Sequence, residues 1–357
     1  MSRVLIAMSG GVDSSVAAAL MMGEGHDCVG CTMKLYDNPA AGLCSARTCC
    51  AQEDVADARS AAYRLGMPFY VFNFQADFRR EVMERFARTY ESGRTPNPCI
   101  DCNQYLKFGK LLRRARELDR EVLVTGHYAR IVYEEGRWKL KKALDQSKDQ
   151  SYVLYAMTQD QLARTRFPLG ERTKVQVRAL AEELGLRNAR KPDSQDICFA
   201  PDGDYAAAIR RITGRESPPG PFLDRAGRVL GEHRGIVRYT IGQRRGLGLS
   251  LPERRWVCAI DPAANAVILG GETDLWGSAA QTGPFHWIAG TPPAGPVRCR
   301  VKLRYRQPEQ PATVWPQADG SVRAAFDTPQ RAITPGQAMV LYDGDEVLGG
   351  GRVVRAD

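Results

Sequence analysis

Several short stretches of this chain carry side chains that could do chemistry. Ser9-Gly10-Gly11-Val12-Asp13-Ser14-Ser15 follows an apolar run, Val4 to Ala7, and precedes a segment rich in Ala and Val. A strand, a glycine turn and a helix in that order offer backbone N–H groups and the positive end of a helix dipole to an anion, and the serines add hydroxyl donors. No Lys follows the glycines, so the Walker-type phosphate loop is excluded, and the absence of Gly-X-Gly-X-X-Gly weakens a dinucleotide reading. The plainer alternative is a tight turn in which Gly supplies φ > 0.

The thiols come next. In Thr95-Pro96-Asn97-Pro98-Cys99-Ile100-Asp101-Cys102-Asn103, two prolines stiffen a loop ahead of a helix expected over 107–118. Cys102 near that helix N-terminus, with Lys107 and Lys110 close in sequence, would favour thiolate. Cys198 lies in a second expected loop, Asp193-Ser194-Gln195-Asp196-Ile197-Cys198-Phe199, after Arg190 and Lys191. An accessible thiolate can receive a sulfur atom, and a second thiol can release it by exchange. The plainer alternative for each cysteine is a small buried hydrophobe, and it weighs most for Cys198, between Ile197 and Phe199. Cys28 and Cys31 have zinc half-site spacing, but an expected strand turns them to opposite faces, so core filling is the expectation. Cys44, Cys49 and Cys50, in a polar loop, stay unassigned, with a loose metal cluster open to them.

In Arg298-Cys299-Arg300-Val301-Lys302-Leu303-Arg304-Tyr305-Arg306, strict alternation on a strand would place five basic residues on one face. Such a row suits a phosphate backbone, and the plainer alternative is a solvated edge strand that avoids aggregation by charge. Arg244-Arg245 and Arg254-Arg255 add positive charge. His127 and Tyr128 could stack on or hydrogen-bond an unstacked base, or His127 could be a satisfied histidine at a strand end.

These groups need a scaffold. Over the first 130 or so residues, strand signals (4–7, 28–34, 69–73, 122–125) alternate with helix signals (14–22, 52–65, 78–90, 107–118), which argues for a parallel sheet covered on both faces. Ligands in such sheets sit at the carboxyl ends of strands, so 9–15, 33–36 and 126–127 are the places for a site. A hairpin is expected over 131–141. A helix should open at the capping-box sequence Thr173-Lys174-Val175-Gln176 and close at Gly185. After Thr213, Pro, Gly and turn sequences become frequent and β-type segments dominate. The expected division is 1–212, 213–279 and 280–357.

The chain has 357 residues, 43% hydrophobic and 25% charged, with 50 Lys and Arg against 41 Asp and Glu for a net charge of +9. Wholesale disorder and collagen-like repeats are excluded by that composition. No apolar run approaches the roughly 20 residues of a membrane helix, no signal peptide is evident, and no membrane partner is expected. The 10 cysteines in a long chain with its own core point to a reducing compartment, hence a cytoplasmic expectation, rather than to a disulfide framework. The positive balance suits a polyanionic partner.

The Ser9–Ser14 motif resembles the PP-loop of the ATP pyrophosphatases, which include argininosuccinate, GMP and NAD synthetases and tRNA thiolases. Further motifs span nearly the whole chain: TPNPCxxCN, TGHYAR at Thr125–Arg130, KDQSYVL at Lys148–Leu154, SQDICF, YTIGQRRGLG at Tyr239–Gly248 and Arg304-Tyr305. With them, the sequence resembles the bacterial and organellar tRNA-specific 2-thiouridylases. That resemblance implies an α/β N-terminal domain with a parallel sheet of the adenine nucleotide alpha hydrolase-like PP-loop fold. A small β-rich central domain and a C-terminal, tRNA-binding β-barrel would follow.

The resemblance further implies an ATP site at Ala7, Met8, Ser9, Gly10, Gly11, Val12, Asp13, Ser14, Met33 and Gly126. Cys102 would be the catalytic nucleophile and Cys198 the persulfide carrier. Asn97, Pro98 and Cys99 would meet the target base. His127, Lys148, Asp149, Gln150, Arg304, Tyr305 and Gln337 would contact tRNA. The implied activity is a tRNA-uridine 2-sulfurtransferase that adenylates O2 of a wobble uridine, releases pyrophosphate and AMP, and leaves a Cys102–Cys198 disulfide. Its partners would be tRNA and a persulfide donor or sulfur-relay protein, and Mg²⁺ is inferred from the phosphate chemistry. Some family members carry Asp where Cys99 stands, so an acid/base role is empty here or passes to Asp101. Three thiols, Cys99, Cys102 and Cys198, also leave open a four-iron cluster of the kind related thiolases hold. Two other classes stay open: an ammonia-using PP-loop ligase, and a non-catalytic RNA-binding protein with a structural metal.

Overall fold

The structure is a computed structural model, and it describes residues 1–36, 52–193 and 197–357. Cys44, Cys49 and Cys50 lie outside the described residues, as do Ser194, Gln195 and Asp196.

Strands β1 (Arg3–Ala7), β2 (Asp27–Lys34), β3 (Phe69–Asn73), β4 (Val122–Thr125) and, after a hairpin of β5 (Arg130–Glu134) and β6 (Arg137–Lys141), β7 (Thr165–Arg166) are the strands of the N-terminal region. Five of them form one parallel sheet in the order β3-β2-β1-β4-β7. Period-2 alternation explains its two faces. Leu5, Val29, Cys31 and Leu123 enter one core, while Val4, Ile6, Cys28 and Val124 enter another. Cys28 and Cys31 therefore point to opposite faces, as the strand reading expects, and both are buried. Burial pushes the Cys28 thiol up to about 11, with Asp27 adding to the effect, and burial alone raises Cys31 further. Neither is a poised thiolate.

β1 has β2 on one side and β4 on the other, so chain direction across the sheet reverses beside it. The crevice at such a switch point opens at the ends of β1 and β4. The helix Val12–Gly23 follows β1 directly.

The helix expected over 107–118 begins nine residues earlier. It runs continuously over 98–117, with a π-helical stretch from Cys102 to Leu111. Pro98 is tolerated because it occupies the first turn, where its missing N–H has no intrahelical partner anyway, and the Asn97 side chain caps the end by accepting from Cys99 N at 3.1 Å. Cys102 thus sits one turn inside the helix rather than in a loop ahead of it. The capping box is present as read: Thr173 and Gln176 exchange side-chain and backbone bonds at the start of Lys174–Glu183.

Beyond a further helix, Tyr205–Thr213, the chain is β-rich. Strands β8 (Gly220–Asp224), β9 (Val229–His233), β10 (Trp256–Asp261) and β11 (Ala266–Gly270) make a small four-stranded sheet. Strands β12 (Trp276–Trp287), β13 (Val297–Lys302), β14 (Gln310–Pro316), β15 (Val322–Arg331), β16 (Ala338–Asp343) and β17 (Glu346–Ala356) close into a barrel, because β12 pairs with both β15 and β17. The hairpin β5–β6 joins the same sheet through Lys141 opposite Glu346. Arg130–Asp345 and Arg137–Glu346 ion pairs at 2.6 Å reinforce that seam. The catalytic-looking region and the barrel are therefore stitched into one sheet across more than 200 positions of sequence. Among the described residues, no helix is long and apolar enough to cross a membrane.

Candidate active site

The Ser9–Ser14 turn forms because β1 ends in a residue pair that needs space. Gly10 has φ +76, and a Cβ there would stand 2.3 Å from the Asp54 carbonyl oxygen on the helix Gln52–Arg64. Gly11 caps the helix Val12–Gly23 without a side-chain hydrogen bond, an arrangement whose first N–H groups can donate to an anion. Ser14 stabilises the turn from within, accepting from Ser9 N at 3.1 Å and donating to the Gly11 carbonyl at 3.1 Å. Met8 and Val12 are buried beneath, and Ala7 and Met33 are half-buried at the strand ends.

Gly126, just past β4, closes the opposite wall. A Cβ there would lie 2.7 Å from Ser14 N and 2.8 Å from the Asp13 carbonyl carbon. Only a residue without a side chain lets the end of β4 meet the first turn of the helix Val12–Gly23 this closely. Asn188 completes the cradle, donating to the Gly10 carbonyl at 2.9 Å and to Ser15 Oγ at 3.0 Å, and its own carbonyl oxygen is buried with no hydrogen-bond partner.

Asp13 is held by two groups distant in sequence, Tyr128 of the TGHYAR stretch and Lys174 of the capping-box helix. Lys174 Nζ donates to both of its carboxylate oxygens, at 2.7 and 2.8 Å, and Tyr128 OH donates at 2.9 Å. The same ammonium lies 2.7 Å from Asp193, which also takes Lys148 at 2.8 Å and Arg178 at 3.2 Å. Burial works against ionisation of Asp193, yet hydrogen bonds from Lys148 and Lys174 hold it below the usual carboxylate range. Asp193 opens the segment that leads to Cys198, so one lysine ties the phosphate-type turn to the second thiol's segment.

Both suggestive thiols pack against the same core. Cys102 is half-buried against the core that contains the buried Ile100 and Leu106. Cys198 is half-buried, its carbonyl accepts from Tyr36 OH at 2.9 Å, and the adjacent Phe199 ring packs edge-on to Phe78 and Phe86. Those two rings belong to the helical stretch 75–91, which also packs against the 98–117 helix. Cys99 is exposed.

The barrel clamps the start of the 98–117 helix. Gln337 donates to the Thr95 and Pro96 carbonyls at 2.9 and 3.3 Å, and Arg352 pairs with Asp101. Asp101 is 1% exposed and paired with Arg352, and burial, the larger effect, raises its pKa above the usual carboxylate range. Tyr305 lies near enough to Cys99 to feel its charge, although burial is the larger cause of its raised pKa.

The remaining expected contacts divide by exposure. Lys148 is half-exposed beside Asp193. Asp149 is buried and accepts from Ala143 N and Ser151 Oγ, while Gln150 accepts from Tyr128 N. His127 is buried among Phe108 and Phe167, its Nδ1 2.6 Å from Thr125 Oγ1 and its Nε2 3.3 Å from Lys107 Nζ. That is the satisfied-histidine arrangement.

Burial, then Lys107, lowers the His127 pKa well below 6.5. His127 therefore stays neutral in the fold but takes a proton in the unfolded chain once pH drops under about 6.5. Its share of stability is complete above that pH and is lost as pH falls, at up to about 1.4 kcal/mol per pH unit. Denaturant titrations from pH 7.5 to 5 should show this slope, and His127→Asn should flatten it; an unchanged slope would contradict the assignment.

The basic strand is corrected in two respects. β13 ends at Lys302, so the alternation does not continue through Arg306. Its charges are also largely spoken for: Arg298 pairs with Asp327 and Arg300 with Glu309, and Lys302 lies over the Tyr152 and Tyr305 rings. Arg304 turns inward to the Ala332 carbonyl and Thr334 Oγ1, at 2.5 and 2.7 Å. Nor do the thiols make a metal site. Among the described residues no three His, Cys, Asp or Glu side chains, Cys99, Cys102 and Cys198 included, are grouped to hold a metal.

Family models match three consecutive regions: a tRNA methyl transferase HUP domain over residues 2–202, a tRNA methyl transferase PRC-barrel domain over 209–271 and an aminomethyltransferase beta-barrel domain over 279–353. Relatives called tRNA-specific 2-thiouridylase MnmA include that of Symbiobacterium thermophilum, 48% identical over 99% of this chain and 92% of its own. The Chloroflexus aggregans protein of that name is 49% identical over 100% of this chain and 99% of its own. Among solved structures, a complex of 4-thiouridine synthetase with RNA and bound ATP is 18% identical over 56% of this chain and 45% of that one, with a TM-score of 0.38, too loose a likeness to support an inference.

Proposed function

Because this chain belongs to the tRNA-specific 2-thiouridylase family, we propose that it uses ATP to activate a uridine of tRNA and replaces the O2 oxygen of that base with sulfur. The observation that carries the reading is the uncapped Ser9–Ser14 turn at the switch point, tied through Asp13, Lys174 and Asp193 to the segment bearing Cys198.

In this reading the turn binds the phosphates of ATP, and the helix dipole of Val12–Gly23 stabilises the departing pyrophosphate. The wobble uridine is splayed out, since its C2 is out of reach inside a stack. Its O2 attacks the α-phosphorus, the α–β bond breaks, and pyrophosphate leaves. Cys198 carries a sulfane sulfur supplied by an external persulfide donor. The Cys102 thiolate attacks Cys198 Sγ, forming the Cys102–Cys198 disulfide and freeing hydrosulfide. Hydrosulfide adds to C2 and AMP departs with the original oxygen. An external dithiol then reduces the disulfide, a requirement that fits a reducing, cytoplasmic compartment. Asn97, Pro98 and Cys99 face the base, with Gln337 and Tyr305 of the barrel beside them. The nucleotide's own phosphates and water would supply most ligands of a Mg²⁺ ion.

The test is direct. Incubated with ATP, a persulfide donor, a dithiol and an unmodified tRNA transcript bearing uridine at the wobble position, the protein should yield 2-thiouridine by nucleoside mass spectrometry, with AMP formed in step. ATP turnover on an ammonia acceptor without tRNA, or no turnover at all, would instead favour a ligase or a non-catalytic binder.

A further inference from the structure

The loop between β9 and β10 carries a charge cluster that the active site does not use. Arg244, Arg245 and Arg254 are exposed around an open groove of about 640 Å³, which Gln243, Trp256, Arg331 and one carboxylate, Glu272, also line. Among the described residues, none of these three exposed guanidiniums meets a carboxylate within 4.0 Å. Their neighbours are neutralised: Arg255 pairs with Glu253 at 3.1 Å and Arg331 with Glu272 at 3.7 Å. The contrast with the paired arginines of β13 is what singles the groove out.

The groove is built rather than loose. Gln243 accepts from Thr240 N at 3.1 Å and donates to the Arg245 carbonyl at 3.0 Å, so one side chain staples the turn that presents Arg244 and Arg245. Gly242, with φ +88, lies directly on the barrel, where a Cβ would stand 2.8 Å from Ala332 Cβ. Thr240 receives a 3.4 Å hydrogen bond from Thr95, the residue whose carbonyl Gln337 also holds. The arginine turn therefore abuts both the barrel and the segment leading into the Cys99–Cys102 helix.

We propose that this groove binds the sugar-phosphate backbone of tRNA outside the target nucleotide, and so aligns the RNA with the thiol helix. The inference rests on the RNA-thiolation reading. Guanidinium forks match phosphate oxygens bidentately, and unpaired arginines gain most from that contact because no internal ion pair has to be broken first. An acidic protein partner is the less suitable occupant. The lining offers a single large apolar side chain, Trp256, where protein interfaces use a buried apolar centre.

The experiment compares wild type, the triple variant Arg244→Ala/Arg245→Ala/Arg254→Ala, and the control pair Arg298→Ala/Asp327→Ala, which removes a neutralised ion pair. Affinity for an unmodified tRNA transcript is measured across a salt series, alongside thiolation at saturating tRNA. The triple variant should bind about 10–100-fold more weakly, and its log K against log salt slope should be shallower by about 2–3, near 0.9 for each phosphate that is no longer neutralised. The control should match wild type, and thiolation at saturating tRNA should stay within about 3-fold. Unchanged affinity and slope in the triple variant would overturn the groove assignment while leaving wild-type thiolation intact. A defect seen only when a protein sulfur donor replaces a small persulfide would overturn it too, in favour of a donor-docking face. Should wild type bind tRNA through the groove yet make no thiouridine, the catalytic reading fails and the groove stands.

Discussion

Cys198→Ser is expected to abolish thiolation, by at least about 10³-fold, while AMP formation with tRNA stays within a few-fold of wild type. The two halves of the reaction use different atoms. Activation needs the phosphate turn and the base oxygen, whereas delivery needs a sulfur able to carry a second sulfur, which an alkoxide cannot do. The fold should tolerate the change. Cys198 is half-buried, its carbonyl bond from Tyr36 does not involve the side chain, and Phe199 supplies the packing on Phe78 and Phe86. Cys102→Ser should block the reaction one step later. There the protein should accumulate a persulfide on Cys198, heavier by one sulfur atom in intact-mass spectra. Full thiolation by Cys198→Ser would end the persulfide assignment, and loss of AMP formation would mean the two half-reactions are not separable.

The second large effect is expected at Asp13. Asp13→Ala should lower tRNA-dependent AMP formation by about 10²-fold or more, the scale of losing an organised electrostatic element. Lys174 is 8% exposed and holds Asp13 and Asp193 at once. Removing one carboxylate leaves a buried ammonium with one partner, which should also cost about 2–4 kcal/mol in chemical denaturation. Lys174→Met should act through the same contact, so the double variant should lose much less than the sum of the two singles. Strict additivity would show that the two side chains work independently, and unchanged AMP formation by Asp13→Ala would place the phosphates elsewhere.

Much of this was readable from local rules. Ser9-Gly10-Gly11 after Val4–Ala7 announces a strand, a tight turn and a helix, because those residue types restrict φ and ψ within a few positions. Cys28 and Cys31 could be placed on opposite faces because side chains alternate along any strand. Thr173 and Gln176 are a capping box because both ends of it lie within one turn. The same logic misplaced the start of the 98–117 helix, where two prolines looked like loop but Pro98 fills the one helical position that needs no N–H. It also carried the alternation of 298–306 past the true end of β13 at Lys302.

By itself, then, the chain's order of residue types determined the α/β sheet, the phosphate-type turn, the β-rich remainder and the cysteines worth testing. Each follows from steric limits or periodicity that act within a few residues. Folding in three dimensions alone decided which charges are satisfied and which are left over. Lys174 reaches Asp13 across 161 positions, Gln337 reaches Thr95 across 242, and Arg298 finds Asp327 while Arg244 finds no carboxylate among the described residues. An ion pair depends on two side chains meeting within a few ångströms, and no local pattern records where distant segments cross.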